Sequence, residues 1–133
     1  MIGSNLRTAT LQRALDGVWQ RQKAISANIA NQETPGYKAV RVSFEEALSQ
    51  AVRTAETGMN QPERRQALLD QVGRAPIRAM ESQDTAERLD GNNVNMELEN
   101  IELAKTQIQY QFLTRGMTDY YARLRYAISE GKK

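Results

Sequence analysis

Neither cysteine nor histidine occurs among the 133 residues, and there are only three prolines, two phenylalanines and one tryptophan. Without cysteine there is no disulfide scaffold and no thiol chemistry. Without histidine there is no imidazole for a Ser–His or Cys–His nucleophile, and zinc sites built on either residue are excluded. No apolar run approaches the about 18 residues that a spanning helix needs, so the chain is not expected to span a membrane. The N-terminal MIGSNLRTATLQRALDG also lacks the apolar core of a cleavable secretory signal. Large hydrophobes are scarce as well. Leu, Ile, Val and Phe total 26 residues, about a fifth of the chain, at the edge of the disorder-prone range. Ordering a residue costs roughly 1–2 kcal/mol of conformational entropy, so the chain is expected to complete its burial against neighbours.

What is present is helical periodicity at both ends. Leu11, Leu15, Val18, Gln22, Ile25 and Ile29 are spaced 4, 3, 4, 3, 4. This predicts a helix from about Leu6 to Asn31 with a coiled-coil-like seam and one polar, register-fixing position. A longer helix is expected from about Met96 to Ile128. Val94, Leu98, Ile101, Ile108 and Phe112 follow one seam, interrupted by Lys105. Leu113, Met117, Tyr120, Leu124 and Ile128 continue one residue out of phase, which predicts a change of supercoil or of packing partner. Asn95 is a good N-cap, with Glu97 and Glu99 in the first turn.

Between these helices the signals are shorter. Ser43-Phe44-Glu45-Glu46 has the form of a capping box opening a helix to about Ala55. Pro62 suits the first turn of another, running through Leu68, Leu69 and Val72 to Gly73. Residues 74–90 read as loop, with a short strand at Ile77–Met80. The expected fold is mainly α: long N- and C-terminal helices paired as an inner layer, with a short extended segment, short helices and loop between. The expected organisation is one assembly unit in three parts, residues 1–36, 37–91 and 92–133. Net charge is +2, divided as +4 over residues 1–42, −3 over 43–91 and +1 over 92–133.

The densest local signal lies at residues 26–38. Asn31 can close a helix end and tolerates left-handed geometry. Pro35 presets the second position of a turn and Gly36 supplies positive φ at the third, which is type II chemistry. Val40, Val42 and Phe44 then alternate with polar residues as in a half-buried strand. Ala27 and Ala30 leave room for another backbone. Turn chemistry alone favours a plain loop connecting two elements of a small bundle.

The same residues carry a resemblance. Ser26 to Lys38 (SANIANQETPGYK) resembles the signature shared by bacterial flagellar rod and hook proteins, an A-N-I-A-N core followed by T-P-G-Y. Leu89 to Met96 (LDGNNVNM), followed by Glu97 and Glu99, is similar to the L-D-G-N-x-V segment of the B-type proximal-rod subgroup. The matching stretches cover residues 8–48 and 89–128. Gln32-Glu33 makes the loop bulkier than is usual in that family, and Asn95 stands where Asp is common. Residues 49–88 show no resemblance.

The resemblance implies a structural subunit of the flagellar proximal rod. Such subunits polymerise into the axial drive shaft between the membrane-embedded MS ring and export gate and the distal rod. They are exported through the flagellar type III apparatus without a cleaved signal and assemble in the periplasm. Implied partners are copies of the chain, other rod proteins, the MS-ring/rod adaptor and export-gate components. No cofactor, metal, small-molecule substrate or nucleic acid is implied. Asn28, Ile29, Ala30, Asn31, Thr34, Pro35, Gly36 and Tyr37 are the expected turn and assembly motif. Leu11, Leu15, Val18 and Ile25 are expected to pair with Leu98, Ile101, Ile108 and Phe112.

Three rival readings compete with this one. An enzyme would need paired carboxylates, but Glu45 and Glu46 point apart, as do Glu97 and Glu99. Glu99 and Glu102 share a face and are expected to be solvated. Tyr120, Tyr121, Arg123, Arg125 and Tyr126 interleave aromatics with cations as in a nucleic-acid binder. The helical wheel instead puts Tyr120 and Leu124 on an apolar face, with the arginines on its flanks. The third rival is a self-contained helical bundle serving as an adaptor, separated from the rod subunit by the stability of the terminal helices in dilute solution. Trp19 beside the Val18 seam reads equally as a rim residue or as an intersubunit anchor.

Overall fold

A computed structural model of the chain describes residues 2–83 and 85–131. The element order is α1 (Ile2–Ala30), β1 (Val40–Ser43), α2 (Glu45–Gly58), α3 (Pro62–Gly73), β2 (Arg78–Glu81) and α4 (Met96–Gly131). The fold is mainly α. The long terminal helices pack along one another, and a two-stranded antiparallel sheet pairs Val40 with Glu81 and Val42 with Ala79.

Asn28 of α1 bonds Glu99 of α4, Arg21 bonds Gln109, and the Arg7 guanidinium lies 5.9 Å from the Tyr120 ring centre. These pairs run in opposite chain directions, so α1 and α4 are antiparallel. The stripe of α4 toward α1 follows Glu99, Glu102, Thr106, Gln109, Leu113, Gly116 and Tyr120, an unbroken alternation of three and four residues. Leu11 lies against Gly116. The expected phase shift along α4 is therefore absent. The sidedness of the predicted first half is also corrected: Ile101, Ile108 and Phe112 sit about 100° round the helix from this stripe and are 50%, 66% and 77% exposed.

The apolar core adjoins this seam along one side of α1, and Leu113 of α4 packs against it. Ala14 and Val18 meet Val42 and Phe44, and beyond them Leu48, Ala55, Leu68, Val72 and Ala75 from α2, α3 and the segment after it. Gly17 makes that contact possible, because a Cβ there would fall 2.4 Å from the Phe44 ring. α3 begins at Pro62 and ends at Gly73 as its sequence predicts, and β2 lies one residue later than expected. The capping box does not form: Phe44 occupies the N-cap position of α2 with no side-chain cap bond. Its ring is drawn into the core, the Phe44 N–H donates to the Glu45 carboxylate (3.4 Å), and Glu45 also pairs with Arg21.

Candidate functional site

The two sequence blocks that stand 50 residues apart form one clamp. In the first, Tyr37 N–H donates to Thr34 O (3.2 Å) and Gly36 has φ +75°, as a type II turn requires. The Asn31 amide donates to Ala27 O (2.7 Å) and its oxygen accepts from the Thr34 hydroxyl (3.0 Å), which closes the end of α1. Asn31 does this without left-handed geometry, since positive φ among the described residues occurs only at Gly36 and Gly91. In the second block, Asp90 accepts from Asn92 N–H (3.0 Å) and Asn92 accepts from Val94 N–H (2.7 Å). These consecutive Asx turns present the amides of Asn92 and Asn93 to the first block.

Cross-bonds then lock the blocks together. Gly36 N–H donates to Asp90 O (2.8 Å), and the Asn92 amide donates to both Asn31 O and Thr34 O (2.9 Å each). Asn93 accepts from Ala39 N–H and donates to Ser82 O, both at 2.7 Å. Gly36 and Gly91 stand back to back, so a Cβ on Gly91 would lie 3.4 Å from the Gly36 Cα. Lys38 bonds Gly91 O and pairs with Glu87 (2.9 Å).

Beneath the clamp is a buried polar hub. Asn28 is fully buried and donates to Val40 O (3.1 Å) and to Glu99 Oε1 (2.9 Å). It accepts from the Tyr37 hydroxyl (3.0 Å) and from Val40 N–H (2.9 Å). Glu99, also fully buried, receives both arms of the Arg41 guanidinium, at 2.9 and 2.6 Å. The expectation that Glu99 is solvated is overturned, because Arg41 and Asn28 together satisfy the carboxylate that burial would otherwise leave bare. Burial, and after it the Glu99 charge, raise the Tyr37 phenol above its ordinary pKa, so it remains a donor to Asn28. A second knot lies further along the helix pair: Arg21 donates to both Glu45 oxygens (2.7 and 2.8 Å), to Val42 O (2.6 Å) and to Gln109 (3.1 Å). The Arg21 hydrogen bonds hold the Glu45 carboxyl down at about 2.

The sequence-predicted motif thus splits by role. Asn28 and Tyr37 point inward and fix geometry, Ile29 and Asn31 are half-buried, and Ala30, Thr34, Pro35 and Gly36 are exposed. Of the helix-pairing set, Val18 and Ile25 are buried, while Leu11, Leu15 and Leu98 are half-buried. Ile101, Ile108 and Phe112 lie off the stripe that pairs with α1 and form an uncovered apolar strip of their own. Trp19 is 62% exposed on the opposite flank of the helix pair, beside Tyr110. Arg41, Glu99, Asn92 and Asn93 were not legible as site residues. Their only signal is that three of them fall inside or just after the L-D-G-N block.

A clamp that joins antiparallel terminal helices and leaves apolar surface bare on both flanks is the architecture of a structural assembly subunit. Residues 9–38, most of α1 and the turn, match the family model described as flagella basal body rod protein. The chain is 37% identical to the flagellar basal body rod protein FlgB of Bacillus subtilis (strain 168), with 92% of each chain covered. It is 33% identical to FlgB of Buchnera aphidicola subsp. Acyrthosiphon pisum (strain APS), over 75% of this chain and 77% of that one. It is 32% identical to FlgB of Escherichia coli (strain K12), over 75% and 76%. The chain belongs to the FlgB family of flagellar basal body rod proteins.

Proposed function

We propose that the chain is a structural subunit of the proximal flagellar rod, polymerising into the axial drive shaft that joins the MS ring and export gate to the distal rod. Its partners on this reading are copies of itself, other rod proteins, the MS-ring/rod adaptor and export-gate components. It reaches the periplasmic rod through the flagellar type III apparatus without a cleaved signal. It works without catalysis, cofactor, small-molecule substrate or nucleic acid. Residues 1–36 and 92–133 supply the inner helix layer and residues 37–91 the outer part of one assembly unit.

The observation that carries this reading is the apolar stripe of Ile101, Ile108 and Phe112, uncovered on the helix whose other side is held by the clamp. Monomeric proteins rarely leave such surface bare without a use for it, and a heterologous, non-closing contact is what builds a tube. The test is deletion of the gene in its own organism, with subsequent complementation. The expected result is loss of motility and of rods beyond the MS ring, restored by the wild-type chain. Normal rods in the deletion strain would end the proposal. Hydrogen exchange on the dilute chain separates the adaptor alternative. Fast exchange along the outward-facing length of residues 96–128 fits a subunit awaiting neighbours, and strong, dilution-independent protection fits a self-contained bundle.

A further inference from the structure

The α1–α4 pair has two unlike flanks. On one, a groove of about 550 Å³ opens between α1, α2 and α4, lined by Ala14, Val18, Leu48, Val52, Phe112 and Leu113, with Arg53 and Glu56 on its rim and Glu45, held by Arg21, at its edge. On the other, Trp19 stands out beside Tyr110. Helical geometry sets these flanks on opposite sides: on α4, Phe112 and Tyr110 are separated by about 160°. On α1, Trp19 likewise lies on the far side from Ala14. One flank is concave and apolar and the other presents the chain's single tryptophan, a side chain that buries about 150–250 Å² when enclosed.

Shape and charge together point to a second copy as the occupant: two carboxylates and one guanidinium, Glu45, Glu56 and Arg53, line the groove. Lys23 lies one turn beyond Trp19, exposed and without an ion pair among the described residues, and Glu56 on the groove rim is likewise exposed and unpaired among them. An indole seated in the groove brings a cation from the knob side to an anion on the groove side. The segments concerned carry the matching bias, +4 over residues 1–42 and −3 over residues 43–91. We infer that Trp19 of one copy inserts into the groove of the next copy, with Lys23 meeting Glu56, as the lateral contact of the assembly. This rests on the rod-subunit reading and assigns it a face-to-face pairing. Because knob and groove are different surfaces on opposite sides, the contact is heterologous and repeats from copy to copy without self-closure.

The absence of native cysteine makes the test clean. Gln22→Cys lies beside the knob and Ser49→Cys in the groove wall, and both replaced residues are polar and half-buried. In isolated basal bodies and in the concentrated full chain, a short bis-maleimide linker is expected to give a ladder of multimers from the double variant and none from either single variant. Trp19→Glu is expected to raise the concentration needed for assembly by at least about tenfold, with Trp19→Phe close to wild type, as for a buried aromatic anchor. Lys23→Glu and Glu56→Lys, both on exposed sites that leave folding alone, are each expected to cut the ladder by about twofold and to restore it in combination. Assembled rods and a concentrated chain that both give no ladder would overturn the pairing. So would dimers from Gln22→Cys alone, which mean that like faces meet. A chain absent from basal bodies that still forms the ladder in solution overturns the rod reading and supports the pairing.

Discussion

Asn28 has two amide hydrogens and two carbonyl lone-pair directions, and all four are used, on the backbone of β1, on Tyr37 and on Glu99. Such a residue is hard to replace because its removal strands polar partners that are themselves wholly or partly buried. Glu99→Gln removes the charge that Arg41 requires and is expected to destabilise the chain by about 3 kcal/mol, the low end for breaking a buried pair because Arg41 keeps some solvent contact. Urea unfolding reads this as a lower midpoint at unchanged slope. Gly36→Ala meets open space but is held at φ +75°. The expected cost is about 1 kcal/mol of backbone strain, with helix content kept and rod assembly crippled, since the Gly36–Asp90 bond and the turn must shift together. Circular dichroism beside a motility assay separates the two effects, and wild-type assembly by this variant would show that the turn does not set the assembly geometry.

At the scale of elements, the decisive contacts join α1 to β1 and α2. Gly17 lets Phe44 lie against the helix backbone. Gly17→Ala is expected to cost about 1–3 kcal/mol through overpacking, despite alanine's better helix propensity; thermal unfolding of the variant checks the sign. The Arg21–Glu45 pair ties α1 to the start of α2 and supplies a pH signature. The folded-state pKa of Glu45 is depressed to about 2. Its contribution is therefore full above the ordinary carboxylate range near about 4.3 and is lost as pH falls toward the folded value. Glu45→Gln is thus expected to be less stable than wild type at pH 7, by an amount reduced by the solvent exposure of Glu45. The gap should close between about pH 4 and pH 2, and a gap that widened with acid would contradict this assignment. Helix boundaries were legible where local chemistry decides them: Pro62 and Gly73 bound α3, and the Asn95 side chain accepts from Leu98 N–H at 3.2 Å to open α4. The capping box at Ser43 failed because tertiary burial of Phe44 outweighs a cap worth about 1 kcal/mol.

The whole molecule is asymmetric about its long helix pair. One side of α1 is committed to the core with β1, α2 and α3, while much of the apolar surface of α4 faces away from the chain. Phe112→Asp is expected to leave the unfolding free energy of the isolated chain within about 0.5 kcal/mol, as for other exposed positions, and to abolish incorporation into rods. Paired denaturation and basal-body preparations test both halves of that statement. A large loss of monomer stability would mean that Phe112 is held within the chain after all.

The sequence by itself determined the elements that local chemistry controls. These are the two long helices, the Pro-led helix at residue 62, the type II turn at Gly36 and the N-cap at Asn95, each set by side chains within a few residues of one another. It also held the two blocks of the clamp, though not their contact, because Asn92 and Asn93 reach Asn31, Thr34 and Ala39 across more than 50 residues of chain. Only the tertiary structure decided which face of α4 turns inward. Periodicity reports that a face is apolar, not what covers it. In this chain the first half of the inward stripe is largely polar, with Glu99 satisfied by Asn28 and Arg41 and Gln109 by Arg21, and the apolar residues Ile101, Ile108 and Phe112 that pattern reading sends inward are left uncovered by the chain.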